Sequence, residues 1–377
     1  MSIDVVHELH ENSVEWLLLF LSKRAGPVSE FSYQLSDYDF SFPPELIAQR
    51  TAGKGKTTIL HVPRSGGSSK LMPAAGIVDL FRPGDCLVVN NTKVIPARLF
   101  GSKKSGGHVE VLLLQPQVAA DNGDARWEAF VRPGRAFRVG SVLEIAGVEC
   151  TVESVRDDGC RVLRFALAME RFEDFLQQNG RVPLPPYIER EDDEQDRAAY
   201  QTIFAKHSGA VAAPTASLHF SQEMLDALKA KGVQLAEVTL HVGPGTFQNI
   251  QAQDFREHHM HGESFILEAA DADRINTCKA NGGRIITVGT TSTRVLETVA
   301  KPDGTVHAME GITHAFIYPG YEWKIVDGLL TNFHWPRSSL ILLVSALLGR
   351  ERTLESYQFA VQNRLKLFSY GDGMLIL

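Results

Sequence analysis

VEVLLLQPQVAADNGDARWEAFVRPGRAFRVGSVLEIAGVECTVESVRDDGCRVLRF, residues 109–165, decides the fold. Its apolar runs are short: 109–114, 127–132, 142–145, 148–155 and 161–165. Turn formers separate them, among them Pro133-Gly134 and Asp158-Gly159. The same punctuation extends upstream through 86–90 and 94–100, with turns at Pro83-Gly84 and Gly106-Gly107. Short β segments joined by Gly-bearing turns, with no helical period between them, predict a barrel or small sandwich. Residues 78–165 are therefore read as an inserted β-barrel domain.

Beyond about residue 168 the pattern becomes an alternation of helices and strands. Ser221 suits an N-cap for a helix whose Met224, Leu225 and Leu228 share a face, and Gly232 ends it. A strand at 235–242 follows, then a helix at 269–280 stopped by Asn281-Gly282-Gly283, and a strand at 284–288. A strand at 315–318 and an apolar helix at 340–347 complete the set. Such alternation builds an α/β domain with a mostly parallel sheet, which binds ligands at the carboxyl ends of its strands. The expected organisation is α/β at 32–77 and 166–377, the barrel between, and an N-terminal extension at 1–31. That extension reads as a helix through 16–21 halted by Gly26-Pro27.

A chain of 377 residues can hold two cores, and 44% hydrophobic with 22% charged residues is a globular composition. The formal charge of −7 excludes a globally basic surface, so a nucleic-acid partner requires local clusters of Lys and Arg. Cys86, Cys150, Cys160 and Cys278 contain no C-x-x-C spacing, which argues against zinc, redox and disulfide roles. Together with a reduced compartment they suggest a cytoplasmic protein. The apolar runs at 16–21 and 340–348 fall short of the ~20 residues a bilayer needs. Acidic Asp4, Glu8, Glu11 and Glu15 are the wrong flank for a signal peptide. A soluble chain with no membrane contact is expected. Gly55-Lys56-Thr57 imitates the tail of a phosphate-binding loop, but Arg50 stands where its first Gly is required.

Four strand-exit loops carry unusual chemistry. GAVAAPTASLHF (209–220) sets Thr215, Ser217 and His219 beside a helix start. TLHVGPGTF (239–247) brings His241 into a turn where Gly243 and Gly245 permit close backbone approach to a ligand, or form an ordinary Gly-Pro turn, followed by Thr246. VGTTSTRVLE (288–297) offers Thr290, Thr291 and Ser292 at a helix N-terminus, which favours anions, or a plain Ser/Thr cap. DGLLTNFHWPRSSLILLVSAL (327–347) projects Asn332, His334 and Arg337 at the entrance to a buried helix. His258-His259-Met260-His261 with Glu263 lacks a complete metal ligand set, and hydrogen-bonding or acid–base work is expected instead, with no metal. Lys103 and Lys104, with Arg132, Arg135 and Arg138, place positive charge on barrel loops, as phosphate contacts or as a solvated rim.

Taken together, these loops and the strings RPGDCLVVNNTKVIPARL (82–99), VPLPPYI (182–188), YQTIFA (200–205), FIYPGY (316–321) and LFSYGDGMLIL (367–377) resemble one family in order and content. It is the S-adenosylmethionine:tRNA ribosyltransferase-isomerase family, matched from about Tyr33 to the C-terminus. The family's fold is an α/β domain with an inserted β-barrel. The resemblance implies that S-adenosylmethionine (AdoMet) is a co-substrate, with no bound cofactor. Its ribosyl part passes to 7-aminomethyl-7-deazaguanine at the wobble position of tRNA with GUN anticodons. Adenine and methionine leave, and the sugar rearranges to epoxyqueuosine.

That chemistry requires a base beside the sulfonium, an acid for departing adenine and exclusion of water. His219, His241, His261 and His334 lie in matched strings, and their reference pKa near ~6.5 suits both proton tasks. Which is base and which is acid stays open. The resemblance assigns AdoMet binding to Thr215, Gly243, Gly245, Thr246, Thr290, Thr291, Ser292 and Asn332. It assigns tRNA contact to Arg98, Lys103, Lys104, Arg132, Arg135, Arg138 and Arg337, in a monomer. Three positions depart from the family pattern: Pro244 for Ala, Ser217 for Gly and His314 for Asp. Two other functions remain open, a non-catalytic tRNA-binding relative and an AdoMet enzyme acting on a small molecule. A methyltransferase lacks support, because no Gly-rich loop follows a first strand.

Overall fold

The computed structural model describes residues 31–103, 105–120, 122–243 and 250–377. The expected extension, apart from Phe31, lies outside the described residues, as do Lys104, Pro244, Gly245 and Thr246.

The strands in chain order are β1 (Thr58–Val62), β2 (Lys70–Pro73), β3 (Cys86–Asn90) and β4 (Thr92–Val94). Six follow in succession: β5 (Arg98–Lys103), β6 (His108–Pro116), β7 (Asp124–Arg132), β8 (Val142–Ile145), β9 (Val148–Val155) and β10 (Arg161–Ala168). The remainder are β11 (His207–Ala210), β12 (Gln234–Leu240), β13 (Glu263–Leu267), β14 (Ile285–Val288), β15 (Met309–Thr313), β16 (Gly328–Asn332) and β17 (Gly373–Ile376). A nine-stranded mixed sheet runs β15-β13-β12-β3-β14-β16-β17-β1-β2. Its centre, β12-β3-β14-β16, is parallel throughout. Towards one margin β13 and β15 are antiparallel, and on the other side β17 runs against β16 while pairing in parallel with β1.

The sequence reading places 86–90 in the barrel, and the structure corrects this. Cys86–Asn90 is a central strand of the large sheet, with Val88 opposite Ala236 on one side and Thr287 on the other. All five of its residues are buried. A strand covered on both faces shows no alternation, so its apolar run cannot be told from a barrel segment by pattern. The barrel begins at Arg98 and closes in the order β10-β7-β6-β5-β8-β9. It fills itself with alternate residues such as Leu99, Val111, Ala129, Leu143, Val152 and Leu163. The helix Phe172–Asn179 seals one opening: Phe172 stacks on Trp127 at 5.4 Å and meets Phe165 edge-on at 4.8 Å.

Two other elements shift. The strand expected at 315–318 forms instead at Met309–Thr313, and 94–100 splits into β4 and β5 around Pro96, which cannot donate to a ladder. The apolar helix forms at Ser339–Leu348, capped by Ser338, whose side chain accepts from the Ile341 N–H. Ile341, Leu342, Leu343 and Val344 are all buried in it. Such side chains each contribute about 1.5–3 kcal/mol over exposure. They anchor the loop at 333–338 that precedes the helix.

Candidate active site

Because β12, β3, β14 and β16 are parallel, their carboxyl ends open on the same side of the sheet. The loops leaving them converge there. Asn90, at the end of β3, donates from Nδ2 to Leu240 O at 2.9 Å and accepts from Leu240 N at 3.1 Å, fixing the exit of β12. Gly289 (φ +83°) turns β14 directly into the helix Gly289–Val299, a backbone conformation that favours glycine. The opening turn of this helix lines a pocket whose other walls include Thr215, Asn332, His334, Trp335 and Tyr187.

Thr290 and Thr291 both face this pocket, and the buried Oγ1 of Thr291 has no hydrogen-bond partner among the described residues. Ser292 does not join them: its Oγ donates to Val288 O at 2.9 Å, back along its own helix. Two of the three expected hydroxyls therefore reach the site. Thr215 Oγ1 donates to Asn332 Oδ1 at 3.1 Å, and Asn332 Nδ2 donates to Phe368 O at 3.0 Å. Trp335 stacks on Phe368 at 4.3 Å, making one wall aromatic.

Leu340 borders both this pocket and a larger cleft of about 590 Å³. The barrel supplies one side of the cleft through Gln115, Glu128, Phe130 and Asp158. His241, Gly243, His261, Glu263, Arg294 and His314 supply the other. His241 follows β12 directly, and its Nδ1 shares a hydrogen bond of 2.8 Å with Thr92 Oγ1. Burial and the neighbouring His207 hold its pKa below the ordinary histidine value, so it is neutral at pH 7. Gly209 (φ +151°) makes room for the ring: a Cβ there would lie 2.8 Å from His241 Cε1 and Nδ1. Gly209→Ala is expected to displace the imidazole and lower turnover about 10²-fold, as small misplacements of reacting groups do. Single-turnover kinetics at saturating substrate provide the check; an unaltered rate would show that the ring position is unimportant.

The four expected histidines separate. His241 and His261 lie on the cleft and His334 lines the smaller pocket. His334 Nε2 shares a 2.7 Å hydrogen bond with Thr331 Oγ1, and burial pushes its pKa down to about 3. His219 lines neither pocket. It is fully buried, bonds through Nδ1 to Thr57 Oγ1 at 2.8 Å, and has its pKa pushed to about 4 by burial. Its ring packs against Gly373, where a Cβ would lie 2.7 Å from Nε2. His258 lies edge-on to Phe316 at 5.4 Å, and His314 shares a 3.2 Å contact with Met260 O at the cleft. Among the described residues, no three His, Cys, Asp or Glu side chains are grouped to hold a metal.

The basic residues also separate. Arg98 is committed internally, donating to Leu184 O at 3.1 Å and pairing with Glu110 at 3.3 Å. Lys103 sits 5.4 Å from the Phe137 ring. Arg132, Arg135 and Arg138 are exposed. Their loop is held by buried Arg161, which donates to Gly134 O at 2.6 Å and Phe137 O at 3.2 Å, and also to Gly159 O. Gly159 lies between Asp158 and Cys160, both on the cleft, so Arg161 ties the basic loop to the segment that lines it. Arg337 is exposed and pairs with Asp39 at 3.3 Å. The sequence pattern does not reveal the contact of Glu263 with Arg294 or the support of His241 by Thr92. The only signal for the second is the polar Asn90-Asn91-Thr92 tail on an apolar strand.

Fold and site together define an α/β protein with a closed barrel in its chain and a polar pocket at the carboxyl ends of its parallel strands. The chain belongs to the queuosine biosynthesis protein family, whose model matches residues 35–376. The S-adenosylmethionine:tRNA ribosyltransferase-isomerase of Geobacter sulfurreducens is 47% identical over 345 residues, covering 91% of this chain and 99% of that protein. The protein of the same name from Acetivibrio thermocellus is 45% identical over 347 residues, with the same coverage of 91% and 99%. Among solved structures, the S-adenosylmethionine tRNA ribosyltransferase of Thermotoga maritima is similar at 32% identity and a TM-score of 0.51, covering 91% of this chain and all of that one.

Proposed function

We propose that this chain is an S-adenosylmethionine:tRNA ribosyltransferase-isomerase. It transfers the ribosyl part of AdoMet to the aminomethyl nitrogen of 7-aminomethyl-7-deazaguanine at the wobble position of tRNA. Adenine and methionine are released, and the sugar isomerises to the epoxycyclopentane of epoxyqueuosine. The observation that carries this reading is the pair of adjoining cavities. One ends on a helix N-terminus and a Thr291 hydroxyl with no hydrogen-bond partner among the described residues, and the other lies between sheet and barrel beside His241.

In this reading the pocket at Gly289–Thr291 holds the methionine part of AdoMet, its carboxylate against the helix opening. The wobble base enters the cleft, and the Arg132–Arg138 loop carries neighbouring phosphates. His241 takes the proton beside the sulfonium, whose positive sulfur stabilises the carbanion left behind. The enzyme acts in the cytoplasm as a monomer, and among its described residues no helix is long and apolar enough to cross a membrane.

The test is a nucleoside digest, by mass spectrometry, of tRNA bearing the 7-aminomethyl-7-deazaguanine base after incubation with protein and AdoMet. Epoxyqueuosine with matching adenine release is expected. No product from folded protein that still binds this tRNA would favour a binding relative, and adenine release without tRNA a small-molecule enzyme. Thr291→Ala is expected to weaken AdoMet binding about tenfold or more, the effect of losing a hydrogen bond to a charged group. Calorimetric titration checks it, and unchanged affinity would remove Thr291 from the carboxylate site.

A further inference from the structure

On the sheet side of the cleft, Arg294 and Glu263 form an ion pair with side chains only 6% and 8% exposed. Arg294 Nε donates to Ala315 O at 2.9 Å and Nη1 donates to Glu263. Nη2 is buried and has no hydrogen-bond partner among the described residues. Glu263 Oε1 accepts the Gly243 N–H at 3.0 Å, which links the pair to the turn after His241. A buried charged donor without an acceptor is costly, so an orphaned one on a cavity wall calls for an explanation, and a ligand atom that completes it is one.

Resting on the function proposed above, we propose that this pair reads the base: Arg294 Nη2 donates to the 6-oxygen of the deazapurine, and Glu263 accepts from the adjacent N–H groups. The pair is neutral as a unit, which suits a neutral donor–acceptor edge better than a phosphate or carboxylate. Arginine commonly grips guanine by O6 and N7 together. A 7-deaza base has carbon at that second position, so only the oxygen remains to accept. Arg294 correspondingly has one amino group uncommitted. A 6-amino base would set a donor against that donor and be rejected.

The experiment compares two anticodon stem-loops by fluorescence anisotropy, using the full chain. One carries 7-aminomethyl-7-deazaguanine, and the other the same base with a 6-amino group in place of the oxygen. The wild-type protein is expected to prefer the 6-oxo loop by about tenfold or more, the discrimination of a site built for a polar edge. In the double variant Arg294→Gln/Glu263→Gln the preference collapses while AdoMet affinity is kept. Arg294→Lys, which retains a cation beside Glu263 but loses the planar fork, also loses the preference. Absence of a preference in the wild type, or its survival in both variants, overturns the proposal. So does a fall in AdoMet affinity with the preference intact, which would give the pair to AdoMet. Failure of the proposed function is visible separately, as absence of epoxyqueuosine with the wild-type protein.

Discussion

Turnover is expected to fall about 10²–10⁴-fold on replacing His241 with alanine, with AdoMet and tRNA affinities little changed, the loss typical of a missing general acid or base. The expectation rests on placement. His241 stands at the carboxyl end of β12, is oriented by Thr92, and borders the cleft between sheet and barrel. A base must be unprotonated to act. Burial first, and His207 second, depress the His241 pKa, so the neutral form predominates at pH 7 and is lost as pH falls below the ordinary ~6.5. The single-turnover rate of the wild type should therefore be flat near neutrality and decline on the acid side. Removing the His207 charge with His207→Gln should move that decline to higher pH. Full turnover in the alanine variant, with substrates bound normally, would assign the proton transfer elsewhere, and His334 would be the next residue to test.

His241 also shows how far the sequence reaches. The loops stand out because hydroxyls, glycines and histidines cluster at strand exits beyond what packing requires. The helix start at 289–291 could be read directly from Gly-Thr-Thr after an apolar strand. Its finer content could not, because whether a hydroxyl faces outward or returns to its helix, as Ser292 does, depends on rotamers. His219 lines neither cavity for a related reason. It lies in a loop of the right composition, yet its side chain is drawn into the junction of β1 and β17, more than a hundred residues away in either direction. The strand at 86–90 shows the same limit for topology. Its partners β12 and β14 lie far along the chain, and a short, wholly buried run holds no local mark of which sheet receives it. The meeting of Glu263 and Arg294 is likewise a product of tertiary folding, since β13 and the helix Gly289–Val299 bring them together from 31 residues apart.

The largest stability loss is expected at a residue outside both cavities. Asp196 is buried and accepts a two-point contact from Arg190 at 2.6 and 2.7 Å, the Tyr370 hydroxyl at 3.0 Å and the Asp193 N–H at 3.0 Å. Tyr370 follows Ser369, which lines the smaller pocket, so this carboxylate ties the 190–200 segment to the pocket wall. Asp196→Ala would leave Arg190 largely covered and without its anion. The cost of breaking a buried pair in this way is about 3–5 kcal/mol. Burial alone would raise the Asp196 pKa, but the hydrogen bonds from Arg190, Asp193 and Tyr370 outweigh it and hold the group at about 2, against an ordinary 3.8. A carboxylate depressed on folding contributes stability that is fully present above its unfolded value and disappears as pH falls through the folded one. The difference between wild type and Asp196→Ala should therefore be constant from pH 7 to about pH 5 and shrink between pH 4 and pH 2. Urea unfolding at pH 7 and pH 3 tests both the size and the direction. A gap that stayed constant at the lower pH would mean that Asp196 acts through packing and not through its charge. Asp196→Asn, which keeps an acceptor for Tyr370 but no charge for Arg190, should then match the wild type; if the ion pair governs, it should instead lose most of the stability that alanine loses.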